Sequence, residues 1–457
     1  MNLAVDTKLG RRIISLAAPV VLAMLSQTAI NQVDHVLIGR LPTRESVPAH
    51  AALEVALILM WAIGGSLSAI SVGTQAITAR RFGGGDNTAA GQVMTNSLVV
   101  AFITSLLTSI AGWFIAPFLF RKVSHNPDVL RLGIPYLQWR LLGVCAMVTT
   151  ISYKSWFDGL GKTRVHMYSA LVMNGINFFL NIGLIFGRYG LPRWGVTGSA
   201  IASMMSSYLG LAIMVAWSFL PGYMKTYRNY RLSNISFKQQ WEIVKLSVPS
   251  GIATIFVMSG FGVFEKIVGI LDAQRGVGPI YVAATNNNII ILMLFFTGCI
   301  AYGSATATLV SQSMARKEFD TAAAYAWTAV KMGVYVTVVI GLLVFFFTPQ
   351  VLHIYTKDQA VIDAAAPILR ICGLLLPFVL TALVLTQALF GAGNTRFVAF
   401  VEFGLHFGCL VPLAYVFGVV LHWGIAGVWG AAYLYIVLLC GIMVWKFAEG
   451  RWREIQI

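Results

Sequence analysis

Twelve apolar stretches, each long enough to cross a lipid bilayer as a helix, occupy most of the chain at 13–39, 50–79, 90–119, 129–156, 165–187, 195–219, 242–271, 279–312, 321–347, 359–389, 397–420 and 424–446. A hydrocarbon core of about 30 Å takes roughly 20 helical residues. Inside it the backbone must satisfy its own hydrogen bonds, which leaves helices and closed barrels. Runs such as Ile289 to Phe296 are apolar on every face and lack the two-residue alternation of a barrel strand, so the expected fold is an all-α integral membrane protein. With 58% apolar and 11% charged residues there is too little polar surface for a soluble globule of this length. The first stretch runs well past signal-peptide length without a small-residue cleavage pattern, so it is expected to stay as a helix.

The stretches repeat. Pro117, Pro135, Gly159, Gly161 and Thr163-Arg164 recur as Pro349, Pro367, Gly391, Gly393 and Thr395-Arg396, each displaced by 232 positions. Ala79-Arg80-Arg81 matches Ala315-Arg316-Lys317, Thr88 matches Thr321, and Trp194-Gly195 matches Trp423-Gly424, at offsets of 236, 233 and 229. Twelve helices therefore divide into two six-helix lobes related by a parallel internal repeat, since an even number of helices brings the second copy in from the same side. The expected domains are an N-terminal lobe at 1–220, a cytoplasmic linker at 221–240 and a C-terminal lobe at 241–457.

The net charge of +15 is spread over short loops and follows alternate sides of the membrane, which makes a nucleic-acid partner unnecessary. Lys and Arg at the N-terminus, the even-to-odd loops and the C-terminus number nineteen, against nine on the other side. By the positive-inside rule both termini are expected in the cytoplasm. The five cysteines, Cys145, Cys299, Cys372, Cys409 and Cys440, all fall inside apolar stretches and read as buried apolar side chains.

Gly73-Thr74-Gln75-Ala76-Ile77-Thr78-Ala79-Arg80-Arg81-Phe82-Gly83-Gly84-Gly85-Asp86 resembles the loop signature after the second helix of multidrug and toxic compound extrusion (MATE) transporters. Gly159 to Arg164 and Gly391 to Arg396 are similar to that family's repeated loop after helices four and ten, and Pro19 followed by Asp34 is similar to its first helix. The glycines themselves read as turn formers. They do not form a phosphate loop, because no buried strand precedes them and no Gly-Lys-Ser/Thr follows.

Charge inside a membrane is costly unless it faces a cavity, is paired or changes protonation, so in-span ionisable residues are the candidate site. Asp34 lies about 20 residues into the first helix, roughly 30 Å along at 1.5 Å per residue. The resemblance implies a proton- or sodium-coupled carboxylate there, and Asp34 with Asn31 and Gln32 is also expected to bind substrate; the blander reading is a helix-end aspartate reached by water. Asn174, Asn177 and Asn181 share one face of helix five. Asn177, Asn181 and Ser203 are expected to orient Asp34 or a hydrated cation, or else to pack helices through hydrogen bonds. Some family members carry an aspartate on helix five where this chain has asparagine, and bacterial members carry one on helix ten that is absent here. Glu265 resembles the helix-seven glutamate of bacterial members and is expected to meet a cationic substrate or coupling cation, or else to belong to an interfacial ion pair around Lys266, with Asp272 nearby. Glu402 and His406, four residues apart, could form a substitute titratable pair or a simple interhelical hydrogen bond. Asn287, between Asn286 and Asn288, is a candidate lining residue whose alternative is packing. Phe261, Phe264, Met293, Phe295 and Phe296 suit either a broad cavity for organic cations or lipid contact.

The resulting expectation is a secondary active antiporter of a bacterial inner membrane. It exports amphipathic organic cations in exchange for H⁺, slightly favoured, or Na⁺. It is expected to be a monomer that contacts membrane lipids, with no cofactor and no metal. The rival within the superfamily is a flippase for a lipid-linked precursor. A membrane-embedded enzyme is disfavoured because the seven histidines form no HExxH or similar cluster and no Ser-His-Asp constellation is evident.

Overall fold

The computed structural model describes residues 6–276 and 278–455. Among them every regular element is helical. The first half comprises α1 (Thr7–Gly39), α2 (Thr43–Met60), α3 (Ile70–Gly83), α4 (Asn87–Val123), α5 (Pro127–Gly159), α6 (Thr163–Phe186), α7 (Gly195–Ser218) and the short α8 (Pro221–Tyr227). The second comprises α9 (Phe237–Arg275), α10 (Ile280–Ala315), α11 (Phe319–Phe346), α12 (Thr348–His353), α13 (Gln359–Ala392), α14 (Thr395–Leu405), α15 (Val411–Tyr415) and α16 (Gly424–Glu449).

Among the described residues ten helical runs are long and apolar enough to cross a membrane, with Thr395–Val420 counting as one. The other two of the twelve expected crossings differ for identifiable reasons. Residues 50–79 are not one helix: a π-turn at Trp61–Gly65 separates α2 from α3, where Gly64 and Gly65 weaken the helical ladder. Helix α5 is unbroken but polar, carrying Gln138, Arg140, Thr149, Thr150, Ser152 and Lys154. It can afford this composition because α2, α3, α4 and α7 all pack against it, leaving little of it to face lipid. Its counterpart 232 positions on, α13, is likewise central, packed by α10, α11 and α16.

The chain forms two compact units. One is Ala18–Gly251; the other combines residues up to Ala17 with those from Ile252 onward. Both α1 and α9 are therefore divided between units, just before Pro19 and just after Pro249. In the first unit Phe120, Leu137, Leu141, Ile38 and Leu53 form a fully buried core. Hydroxyls of Thr74, Ser97 and Ser152 bond in series at 2.6 Å each, tying α3, α4 and α5 together within a bilayer that offers no water to those groups. On α4 the large side chains of Phe102, Leu106, Ile110, Phe114 and Phe118 stand exposed along one stripe, a surface suited to lipid. In the second unit Phe264, Leu309, Leu385, Trp429 and Phe447 share one core.

The paired glycine loops do two jobs. Gly161 and Gly393 take positive φ, 74° and 89°, where the chain reverses. Gly159 and Gly391 lie inside helices instead, and a Cβ there would collide with the carbonyl oxygens of Gln75 and Ala307. All five cysteines are free and buried. Segment 221–240 is docked on the first unit. Tyr227 and Asn234 are buried, and Trp156 packs edge-on against Tyr227 at 5.2 Å. Asn96 donates to the Asn234 carbonyl oxygen and to Gln239 Oε1 at 2.8 Å each, and accepts from the Ser236 N–H at 2.8 Å.

Candidate functional site: a carboxylate and amide network within the helices

In the first unit the structure joins α1, α6 and α7 through one polar chain. Asn181 donates to Asp34 Oδ1 at 2.7 Å and to Asn177 Oδ1 at 2.8 Å, and Asn177 Nδ2 lies 3.4 Å from Ser203 Oγ. Asp34 is 8% exposed and Asn181 fully buried. The i, i+4 spacing of Asn177 and Asn181 stacks their amides on one face of α6. One turn earlier, Asn174 donates to Ser26 Oγ on α1 at 2.9 Å. Asn181 Oδ1 is buried and has no donor among the described residues. The network thus offers a carboxylate, an open amide oxygen and a hydroxyl to a small cation.

Arg140 and Tyr136 of α5 lie within electrostatic reach of Asp34. Arg140 is not among the expected site residues; its signal in the sequence is a guanidinium in the middle of the stretch at 129–156. Asn31 and Gln32, expected to bind substrate with Asp34, are exposed, and neither is hydrogen-bonded to it among the described residues. Gln32 is two residues away on α1 and so projects from a nearly opposite side of the helix.

The second unit holds the remaining candidates. Glu402 and His406 are buried together: His406 Nδ1 is 2.8 Å from the Glu402 carbonyl oxygen and 3.4 Å from Oε2, to which the Tyr435 hydroxyl donates at 3.1 Å. Glu265 is exposed and forms no ion pair with Lys266 among the described residues. The Asp272 carboxylate accepts the N–H groups of Tyr281 and Val282 at 2.9 and 2.8 Å, capping the start of α10. Asn287 is half-buried, while its neighbour Asn288 donates to the Ala365 carbonyl oxygen at 3.2 Å and ties α10 to α13.

A family model described as MatE matches the chain twice, over residues 19–182 and 249–416, beginning at Pro19 and again at Pro249. A probable multidrug resistance protein NorM of Thermotoga maritima is 23% identical over 453 residues, covering 98% of this chain and 94% of that protein. The multidrug resistance protein PmpM of Pseudomonas aeruginosa is 24% identical over 418 residues, covering 89% and 84%. Among solved structures, an outward-facing multidrug resistance MATE family transporter of the MOP superfamily superposes with a TM-score of 0.86 at 20% identity over 97% of this chain and 96% of that one. A MOP superfamily transporter from Pyrococcus furiosus does so with a TM-score of 0.87 at 19% identity and the same coverage. The doubled family match spans most of a chain built of two helical units, and the chain belongs to the MATE family of multi-pass membrane transporters.

Proposed function

We propose that the chain is a secondary active multidrug efflux antiporter that exports amphipathic organic cations in exchange for H⁺ or Na⁺. The observation that carries this reading is the buried Asp34 carboxylate held by Asn181 beside an unsatisfied amide oxygen. In the proposed cycle the ionised carboxylate attracts an organic cation. A proton or sodium ion arriving from outside then neutralises or coordinates it, removes that attraction and loosens its hydrogen bond to Asn181. Pro19, which deprives α1 of one ladder hydrogen bond, offers a point where the helix can bend in response. The proton is favoured over sodium because Asp34 is the one carboxylate of this network among the described residues, leaving few charged ligands for a metal cation. The same proposal has the protein working in a bacterial inner membrane, with both termini cytoplasmic, as a monomer without cofactor. The multidrug resistance names of the NorM and PmpM relatives support the substrate class.

The test is ethidium export by proteoliposomes under an imposed proton or sodium gradient. Asp34→Asn is expected to lower gradient-driven export by roughly tenfold or more, the effect of losing one charge-assisted interaction of about 1.5–3 kcal/mol. Full export by that variant overturns the reading. Arg140 near Asp34 favours the second reading, a flippase for a lipid-linked precursor, since a guanidinium attracts phosphate. Translocation of a polyprenyl-diphosphate lipid by the same vesicles, without ethidium export, would establish that alternative.

A further inference from the structure

We propose that Glu402, His406 and Tyr435 form a second proton-binding site, built wholly within the C-terminal unit. Its role in transport rests on the antiport reading above; the binding of the proton does not.

The protonation pattern follows from the geometry. The Glu402 carbonyl oxygen can only accept, so His406 Nδ1, 2.8 Å away, carries a hydrogen. Tyr435 donates to Glu402 Oε2, which marks that oxygen as an acceptor. In the neutral ring His406 Nε2 is then a bare lone pair, and it is buried without a partner among the described residues. No Lys or Arg pairs with Glu402 among those residues. An ionised Glu402 with a neutral His406 leaves one negative charge in the membrane interior, where it is costly, and one added proton cancels it. The proton comes from water on one side of the membrane and forms an O–H bond at Glu402 or an N–H bond at His406 Nε2. That bond breaks to return it to water on the other side.

The surroundings leave this pair as the titrating centre. From α16 the facing titratable group is Tyr435, with Cys409 on the same segment as His406. Helix α9 presents Gly260 and the ring of Phe261, 5.8 Å from the imidazole, with Glu265 exposed one turn further on. From α13, Cys372 lies buried in the same core, and the Tyr433 hydroxyl of α16 donates to the Ile368 carbonyl oxygen. His406 also opens a π-turn, His406–Leu410, whose closing bond runs from the Val411 N–H back to the His406 carbonyl oxygen. Pro412, which cannot donate to Gly408, accounts for the widened turn. A change of charge at His406 therefore acts on a point where the helix is already interrupted.

The test uses the full-length protein in lipid vesicles and infrared difference spectra between acidic and alkaline buffer. A protonated-carboxyl band is expected that is lost in Glu402→Gln, shifted in Tyr435→Phe and retained in Asp34→Asn. His406→Gln is expected to move the pH midpoint of that band. A spectrum unchanged by Glu402→Gln overturns the site. Should Glu402→Gln not fold, an unshifted band in Tyr435→Phe overturns it equally. If the wild type gives the band yet moves no ethidium under a pH gradient, the proton site stands and the antiport reading falls.

Discussion

An asparagine at position 181 supplies Asp34 with a hydrogen-bond donor, where a second acid would supply a competing charge. Asn181→Asp, nearly the same shape, would put two carboxylates about 2.7 Å apart, and they repel unless a proton or metal cation lies between them. The expected outcome is ethidium export that gains a dependence on external Na⁺ absent from the wild type, measured by varying Na⁺ at fixed pH in proteoliposomes. Export by the variant that ignores Na⁺ would show that the amide does not set the ion preference. At this scale the sequence was informative where a period could be counted. Asn174, Asn177 and Asn181 fall on one face by spacing alone, and Asp34 stands out as a charge in an apolar run. What spacing does not reveal is which face of α1 meets α6. Asn31 and Gln32 are exposed while Asp34 is buried, and Arg140, distant in sequence, lies within electrostatic reach of it.

Among the elements, the segment between the halves, expected as a cytoplasmic linker, is closely packed. Asn96 on α4 holds it by three hydrogen bonds of 2.8 Å, and Tyr230 joins Tyr153 and Ser218 through their hydroxyls. Asn96 is fully buried, so removing its amide leaves the buried Asn234 carbonyl oxygen and the half-buried Ser236 N–H short of partners, at about 1–3 kcal/mol. Asn96→Ala is therefore expected to speed tryptic cleavage at the exposed Arg231 by roughly tenfold, since cleavage follows the population of the opened segment. An unchanged rate on gels would mean that other contacts suffice to hold the segment. The long helices were legible because length and apolarity are read directly, and their ends follow the Pro, Gly and Asn caps closely. The π-turns were not, since Pro412 announces a disturbance without saying whether the helix kinks, stops or widens.

At the scale of the molecule, duplication supplies a common frame on which the two halves carry different chemistry. Helices α5 and α13 hold equivalent central places 232 residues apart, but Glu402 and His406 correspond to Ala170 and Asn174 (402 − 232 and 406 − 232). The structural units do not coincide with the sequence halves, because residues up to Ala17 group with the second unit and residues up to Gly251 with the first. Ile13 is fully buried in the core that contains Phe264 and Trp429. Gly73 on α3 lies so close to Ile243 and Ser247 of α9 that a Cβ would overlap them. Each half of the chain thus contributes a helix segment that the other half's core requires. Residues 1–235 expressed alone would lack the α9 segment that covers Gly73, and residues 236–457 alone would lack Ile13. Both fragments are expected to be degraded when made singly, and co-expression is expected to restore a complex that purifies together and exports ethidium. A stable, monodisperse fragment 1–235 on its own would show that the shared helices are dispensable and that the repeat still folds as two independent halves.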